Sequence, residues 1–235
     1  MTVCNKRILP ILLILVVALS GCTFTWPWVK NISLTRVTPD GLYQQAVEYY
    51  QDGSYKKSVE IFQRLKEEYP LSKLAILAEM GIADSYFSGK DYFEAELAYR
   101  EFLNLHPTNE NLSYVMYQIG MCHFNQIETI DRDQSETFKA LKEFERLTAR
   151  FPSSKFSFLA EKMILECKRI LGEQEFYIGE FYFNIKQYRA ALRRFEKIVR
   201  EYANVGLDYK VSYYLIESKR RLAAEEAKKN PEVKK

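Results

Sequence analysis

Four residues near the start of the chain, Leu19-Ser20-Gly21-Cys22, carry its clearest chemistry. Lys6 and Arg7 precede an apolar run from Ile8 to Leu19, which is shorter than the ~20 residues a transmembrane helix needs. A charged start, an apolar middle and small residues before a cleavage point make an export signal. A cysteine directly after the small pair makes it look like a lipoprotein signal, in which the Cys22 thiol is acylated and cleavage leaves Cys22 as the first residue. Acyl chains hold at ~0.8 kcal/mol per buried methylene. The body after Cys22 is therefore expected to be exported and tethered to a membrane. An ordinary secretory signal with an incidental cysteine is the weaker alternative.

The remaining reactive residue types do not assemble into a catalytic pattern. His106 closes a repeat and His123 stands at a core aromatic position, and neither has a nucleophile or paired acid at recognisable spacing. There is no HExxH, no glycine-rich phosphate loop and no CxxC or Cys/His ligand spacing. No enzyme, metal or cofactor is expected. Cys122 and Cys167 are the thiols left in the body; a disulfide between them is open to an exported protein, and two buried helical cysteines are the favoured reading.

Bulk composition bounds the rest. Apolar residues make up 47% and charged residues 28%, a globular balance. Loss of Lys6 and Arg7 with the signal takes the formal charge from +3 to +1, so there is no basic stripe of the kind nucleic acid requires. Glycine and proline are scarce and no long run alternates with period two, which predicts an all-α body. The predicted division is a signal at 1–21, an anchor-proximal linker at 22–37 that includes Trp26-Pro27-Trp28, a helical solenoid at 38–222 and a charged, flexible tail at 223–235. Thr38-Pro39 marks the first helix start, with proline at the first helical position.

Three segments end alike, at Pro70, Pro107 and Pro152, and counting back from each exposes a degenerate tetratricopeptide repeat. The small position of helix A is Ala46, Ala83, Gly120 and Gly179, followed three residues later by Tyr49, Tyr86, His123 and Tyr182. In helix B the small position is Ser58, Ala95, Ala140 and Ala191, then come Phe62, Tyr99, Phe144 and Phe195, and after them Leu65, Phe102, Leu147 and Ile198. Small residues let the two helices approach, the ring fills the space beside them, and proline stops helix B. Tyr55, Tyr92 and Tyr188 recur at one offset just past the A–B turns.

The copies are unequal. The third carries a polar insertion around 125–135, expected as a surface loop, and Ser154 to Asn184 reads as one long helix or as two with a break near Gly172. Ala203 replaces the last proline, and an amphipathic cap is expected at about Leu207 to Leu222.

A tetratricopeptide array turns its A helices toward a concave groove. The positions expected to face it are Tyr43, Val47, Tyr50, Met80, Asp84, Phe87, Tyr117, Met121 and Phe124; seven of these nine are aromatic or methionine. That composition suits an extended peptide with aromatic side chains. The alternative is that the rings pack against neighbouring helices.

The lipoprotein signal, the repeats, and the segments His106 to Gly120 (HPTNENLSYVMYQIG) and Asp131-Arg132-Asp133 through Phe151-Pro152-Ser153-Ser154-Lys155-Phe156 together resemble the BamD family of outer-membrane β-barrel assembly lipoproteins. The resemblance covers essentially all of 38–222. It implies an outer-membrane lipid anchor facing the periplasm, a partnership with the periplasmic domains of BamA and with other lipoproteins of that machinery, and reception of unfolded outer-membrane proteins. Thr23 rather than aspartate after Cys22 fits outer-membrane sorting. On helix B of the fourth repeat lie Arg189, Arg193 and Arg194; the resemblance implies a BamA contact at Arg194, whereas without it the three read as a solvated face. The alternative function is a pilotin-like tetratricopeptide lipoprotein serving a secretin or another envelope complex.

Overall fold

The computed structural model describes residues 38–229; the signal, Cys22 and the linker 22–37 lie outside the described residues. Nine helices and no strand occur among those described. They are α1 (Pro39–Gln51), α2 (Tyr55–Glu68), α3 (Lys73–Ser88), α4 (Tyr92–Leu105), α5 (Leu112–Phe124), α6 (Ser135–Arg150), α7 (Lys155–Asn184), α8 (Tyr188–Glu201) and α9 (Asp208–Lys229). Each packs on its chain neighbours, and three pairs two helices apart also touch more sparsely: α1 with α3, α5 with α7 and α7 with α9. Such nearest-neighbour packing is a solenoid.

The core is a chain of four apolar clusters, each shared by three successive helices. The first joins α1, α2 and α3 through Ala46, Phe62 and Ala78, and the last joins α7, α8 and α9 through Leu171, Phe195 and Val211. Every residue of the two small-residue rows is buried, as are Phe62, Tyr99, Phe144, Phe195, Leu65, Phe102, Leu147 and Ile198. In the first repeat the Ser58 hydroxyl donates to the Ala46 carbonyl at 2.9 Å, so the small side chain also ties helix B to helix A.

The turns repeat too. Gly53, Lys90 and Lys186 take left-handed φ of 74°, 66° and 62°, two residues before Tyr55, Tyr92 and Tyr188. One residue on, Ser54, Asp91 and Gln187 donate N–H to the carbonyls of Tyr49, Tyr86 and Tyr182 at 2.8–2.9 Å. That is a Schellman-type closure, which satisfies the helix's orphan carbonyls. Each following tyrosine then sets its ring edge-on against an A-helix aromatic. The pairs Tyr50–Tyr55, Phe87–Tyr92 and Phe183–Tyr188 all have centroids 5.5 Å apart, at 67–69°.

Helix B ends alike in every copy. Tyr69, His106, Phe151 and Tyr202 leave the helix at φ between −133° and −124° and donate N–H to the carbonyl four residues back. Proline enforces this in the first three. In the fourth, Ala203 follows, and the exit is completed by left-handed Asn204 and Gly206, at φ 62° and 84°.

Ser154 to Asn184 forms one helix, without a break at Gly172. Counted from its cap, its first half repeats α3. Ser72 and Ser154 each accept a backbone N–H two residues on at 3.2 Å. Ala75, Ala78 and Ser85 are then matched in burial by Ser157, Ala160 and Cys167. Leu171, Glu175 and Gly179 continue the buried row into the fourth repeat. Thus α7 starts as the A helix of one unit and finishes as the A helix of the next, with no helix B between. At Gly172 the 202–207 turn packs onto the helix: a Cβ there would sit 3.2 Å from Leu207 Cδ1 and 3.4 Å from Tyr202 Cβ.

The insertion after α5 is the expected loop, pinned where Gln134 Nε2 donates to the Thr129 carbonyl at 2.9 Å. One expectation is corrected: residues 223–229, read as flexible tail, continue α9. Ala, Glu and Lys are strong helix formers, and Glu226 pairs with Arg189 at 2.9 Å.

Candidate functional site

The nine groove candidates lie on α1, α3 and α5, and all nine are half-buried. Four rings already have partners within the fold, Phe87 through its edge-on contact with Tyr92. Tyr43 meets Phe62 edge-on at 5.6 Å, and Tyr117 tilts against Phe144 and Phe156 at 5.7 and 5.9 Å. Tyr50, besides its contact with Tyr55, has its hydroxyl 2.8 Å from the Ser88 hydroxyl of the next repeat. Met80 and Phe87 pack against the second cluster, and Met121 and Phe124 against the third. Tyr50 and Phe87 therefore work as structural rings that keep part of their surface open.

Asp84 is the one charged residue of the nine. Its Oδ1 accepts the hydroxyls of Tyr99 at 2.5 Å and Tyr114 at 2.6 Å. Gln118 Nε2 donates to both phenol oxygens, at 3.4 and 3.3 Å. Burial pushes the carboxyl above its ordinary value, with the Tyr114 and Tyr99 hydroxyls opposing the shift. Burial and the nearby Asp84 charge raise both phenols as well, so they stay protonated donors. The cluster joins α3, α4 and α5. Sequence reasoning does not find it, because tyrosines at these offsets read simply as core.

The arginines on α8 separate into three situations. Arg189 is 72% exposed and pairs with Glu226 of α9; Arg193 is exposed, with no ion pair among the described residues. Arg194 Nη1 donates to Glu175 Oε2 at 2.9 Å, and Lys197 Nζ reaches Glu175 Oε1 at 2.6 Å. Glu175 is 5% exposed, so two cations on one face of α8 neutralise one buried carboxylate on α7. Arg194 thus has a structural task whatever else it touches. The sequence signal for Glu175 is its place one helical turn before Gly179 in the buried row.

A second charged network lies between α4, the end of α5 and α6. Glu143, nearly buried, accepts from Arg100 and Arg146 at 2.9 Å, and Arg100 Nε also donates to Glu96 at 2.7 Å. His123 is 4% exposed, with Nδ1 2.7 Å from Glu136 and Nε2 3.3 Å from Glu96. At this core aromatic position it bridges two carboxylates. Cys122 and Cys167 are free, buried thiols, each pushed up to about 12 chiefly by burial. No group of three His, Cys, Asp or Glu is placed to hold a metal ion among the described residues. Among them, no helix is long and apolar enough to cross a membrane.

Helix pairs in this order, joined by repeated turns and small–aromatic contacts, define a tetratricopeptide-repeat solenoid. The family described as YfiO, outer membrane lipoprotein, matches residues 35–234. A Rickettsia prowazekii (strain Madrid E) protein named outer membrane protein assembly factor BamD is 30% identical over 229 residues, 97% of this chain and 89% of its own length. A protein of the same name from Neisseria meningitidis serogroup A is 27% identical over 198 residues, 80% of this chain and 74% of its own. A solved thermophilic TPR protein of Thermus thermophilus superposes with a TM-score of 0.43 at 15% identity, covering 76% of this chain and 100% of that one. The chain belongs to the YfiO family of outer-membrane lipoproteins, the family of the BamD assembly factors.

Proposed function

We propose that this protein is a lipid-anchored scaffold of the outer-membrane β-barrel assembly machinery, held at the membrane through acylated Cys22 and facing the periplasm. It performs no chemistry of its own. Its α1–α3–α5 wall receives extended, aromatic-bearing segments of unfolded outer-membrane proteins, and its α8 surface around Arg189, Arg193 and Arg194 meets the periplasmic domains of BamA. Other lipoproteins of the machinery join the same complex. The observation that carries this reading is the row of half-buried aromatic and methionine side chains repeated at two positions of successive A helices, Tyr43, Met80 and Tyr117 at one and Tyr50, Phe87 and Phe124 at the other. Rings with one face packed and the other open offer contact area at low entropic cost.

Detergent extraction of membranes followed by affinity purification of this chain tests the proposal. BamA is expected to co-elute from wild-type protein, and Cys22→Ala should release the chain from the membrane fraction. Purification without any barrel-assembly component would contradict it.

A further inference from the structure

The B helices carry a second surface, on the other helix row from the groove candidates. Two clefts open between successive B helices, one of about 470 Å³ between α2 and α4 and one of about 480 Å³ between α4 and α6. They are equivalent places in the repeat: Tyr86 of α3 lines the first and His123 of α5 the second, at the same repeat position. Their charge is opposite. With Ala95 set on Ala140 and Tyr99 on Phe144, Glu94, Leu97 and Glu101 of the first cleft correspond to Lys139, Lys142 and Arg146 of the second.

The charges left over after internal pairing sharpen that contrast. In the first cleft Lys66 holds Glu101 at 3.3 Å, and in the second the arginines and Lys139 hold Glu96, Glu136 and Glu143. Glu67 and Glu94 in the first and Lys142 in the second are exposed and have no ion pair among the described residues. Between the clefts stands α4, which turns Leu97 to the first and Phe93 to the second, 53% and 63% exposed. Four residues apart on a helix, these two side chains are neighbours and form one apolar ridge.

Unpaired acid, apolar ridge and unpaired base, in that order across α4, describe their complement. An anionic lipid surface would be repelled by the first cleft, because interfacial binding needs cations throughout the polar rim. A protein segment with a base, an apolar residue and an acid in sequence meets all three. A helix is about 10 Å across with its side chains, so an extended chain at about 3.3 Å per residue crosses α4 in roughly three residues.

We propose that the B-helix face over α2, α4 and α6 is a second protein-docking surface, distinct from the A-helix wall. It takes an extended partner segment whose apolar centre lies on Phe93 and Leu97, with a lysine or arginine over the first cleft and an aspartate or glutamate over the second.

Three synthetic peptides of equal length, each with leucines at its centre, test this. One has lysines to one side and glutamates to the other, one has lysines on both sides, and one has glutamates on both. Binding to the full chain is followed by fluorescence anisotropy at low salt. The mixed peptide should bind about fivefold or more tighter than either of the others. Lys142→Glu should move the preference to the all-lysine peptide and Glu94→Lys to the all-glutamate one. Both residues are exposed and unpaired, so an unchanged melting temperature checks folding. No binding, equal binding of the three peptides, or a preference that neither charge change moves overturns the proposal. So does self-association of the chain alone in sedimentation, abolished by Lys142→Glu, which would make a second copy the occupant.

Discussion

Arg194 Nη1 lies 2.9 Å from Oε2 of Glu175, which also holds Lys197 and is almost wholly buried. A charge reversal at Arg194 therefore tests two things together. Arg194→Glu would set a second carboxylate against Glu175, and disturbing a buried pair of this kind costs about 1–3 kcal/mol. The expected result is a lowered denaturant midpoint and, through it, reduced recovery of BamA. Arg193→Glu is the cleaner probe, because Arg193 is exposed and holds no ion pair among the described residues. It should leave the midpoint unchanged and still reduce co-purification of BamA; unchanged recovery would remove Arg193 from the interface.

The repeat's close approaches make a second prediction. A Cβ at Gly120 would fall 2.5 Å from Phe144 Cε1, and one at Gly179 would fall 2.7 Å from Phe195 Cε1. Neither ring has room to retreat, since both are fully buried. Gly120→Ala and Gly179→Ala should each destabilise by about 1–3 kcal/mol, the usual cost of overpacking a core. Urea unfolding measures it, and a stability gain from the alanine's better helix propensity would contradict the packing argument.

Asp84 gives the pH prediction. Its folded pKa is raised above the ordinary 3.8, so between the unfolded and folded values the native state binds more protons than the unfolded one. Stability from this group is thus greatest below the unfolded pKa and falls as pH rises through the folded one. The unfolding free energy of Asp84→Asn minus that of wild type should therefore increase with pH across that window. A difference that is flat, or that falls, would show that burial does not govern this carboxyl.

Much of this architecture is legible in the sequence. Counting back from Pro70, Pro107 and Pro152 finds the small and aromatic rows, and every member of the small-residue rows is buried. What stays hidden depends on how close helices come rather than on period. Gly81 falls outside both rows, yet the Phe62 ring lies over it, 2.5 Å from where a Cβ would be, because that ring leans toward the next repeat. The offset shared by Tyr55, Tyr92 and Tyr188 is visible, but their edge-on partners become clear only once the turns are closed. The Asp84 phenol pair joins residues 15 and 30 positions apart, and no local pattern announces it. For the candidate groove, the sequence supplies positions and composition, and the structure adds that Tyr50 and Phe87 also hold the fold together.

The central claim is that the A-helix wall receives unfolded barrel proteins, and site-specific photo-crosslinking in living cells tests it most directly. A photoreactive phenylalanine analogue placed at Met121 or Phe124, both half-buried on α5, is compared with one at Phe158 on α7, which is 71% exposed and outside the groove set. Adducts with newly exported outer-membrane proteins at Met121 and Phe124, and none at Phe158, are the predicted result. Adducts at Phe158 with silence at both groove positions would contradict the account.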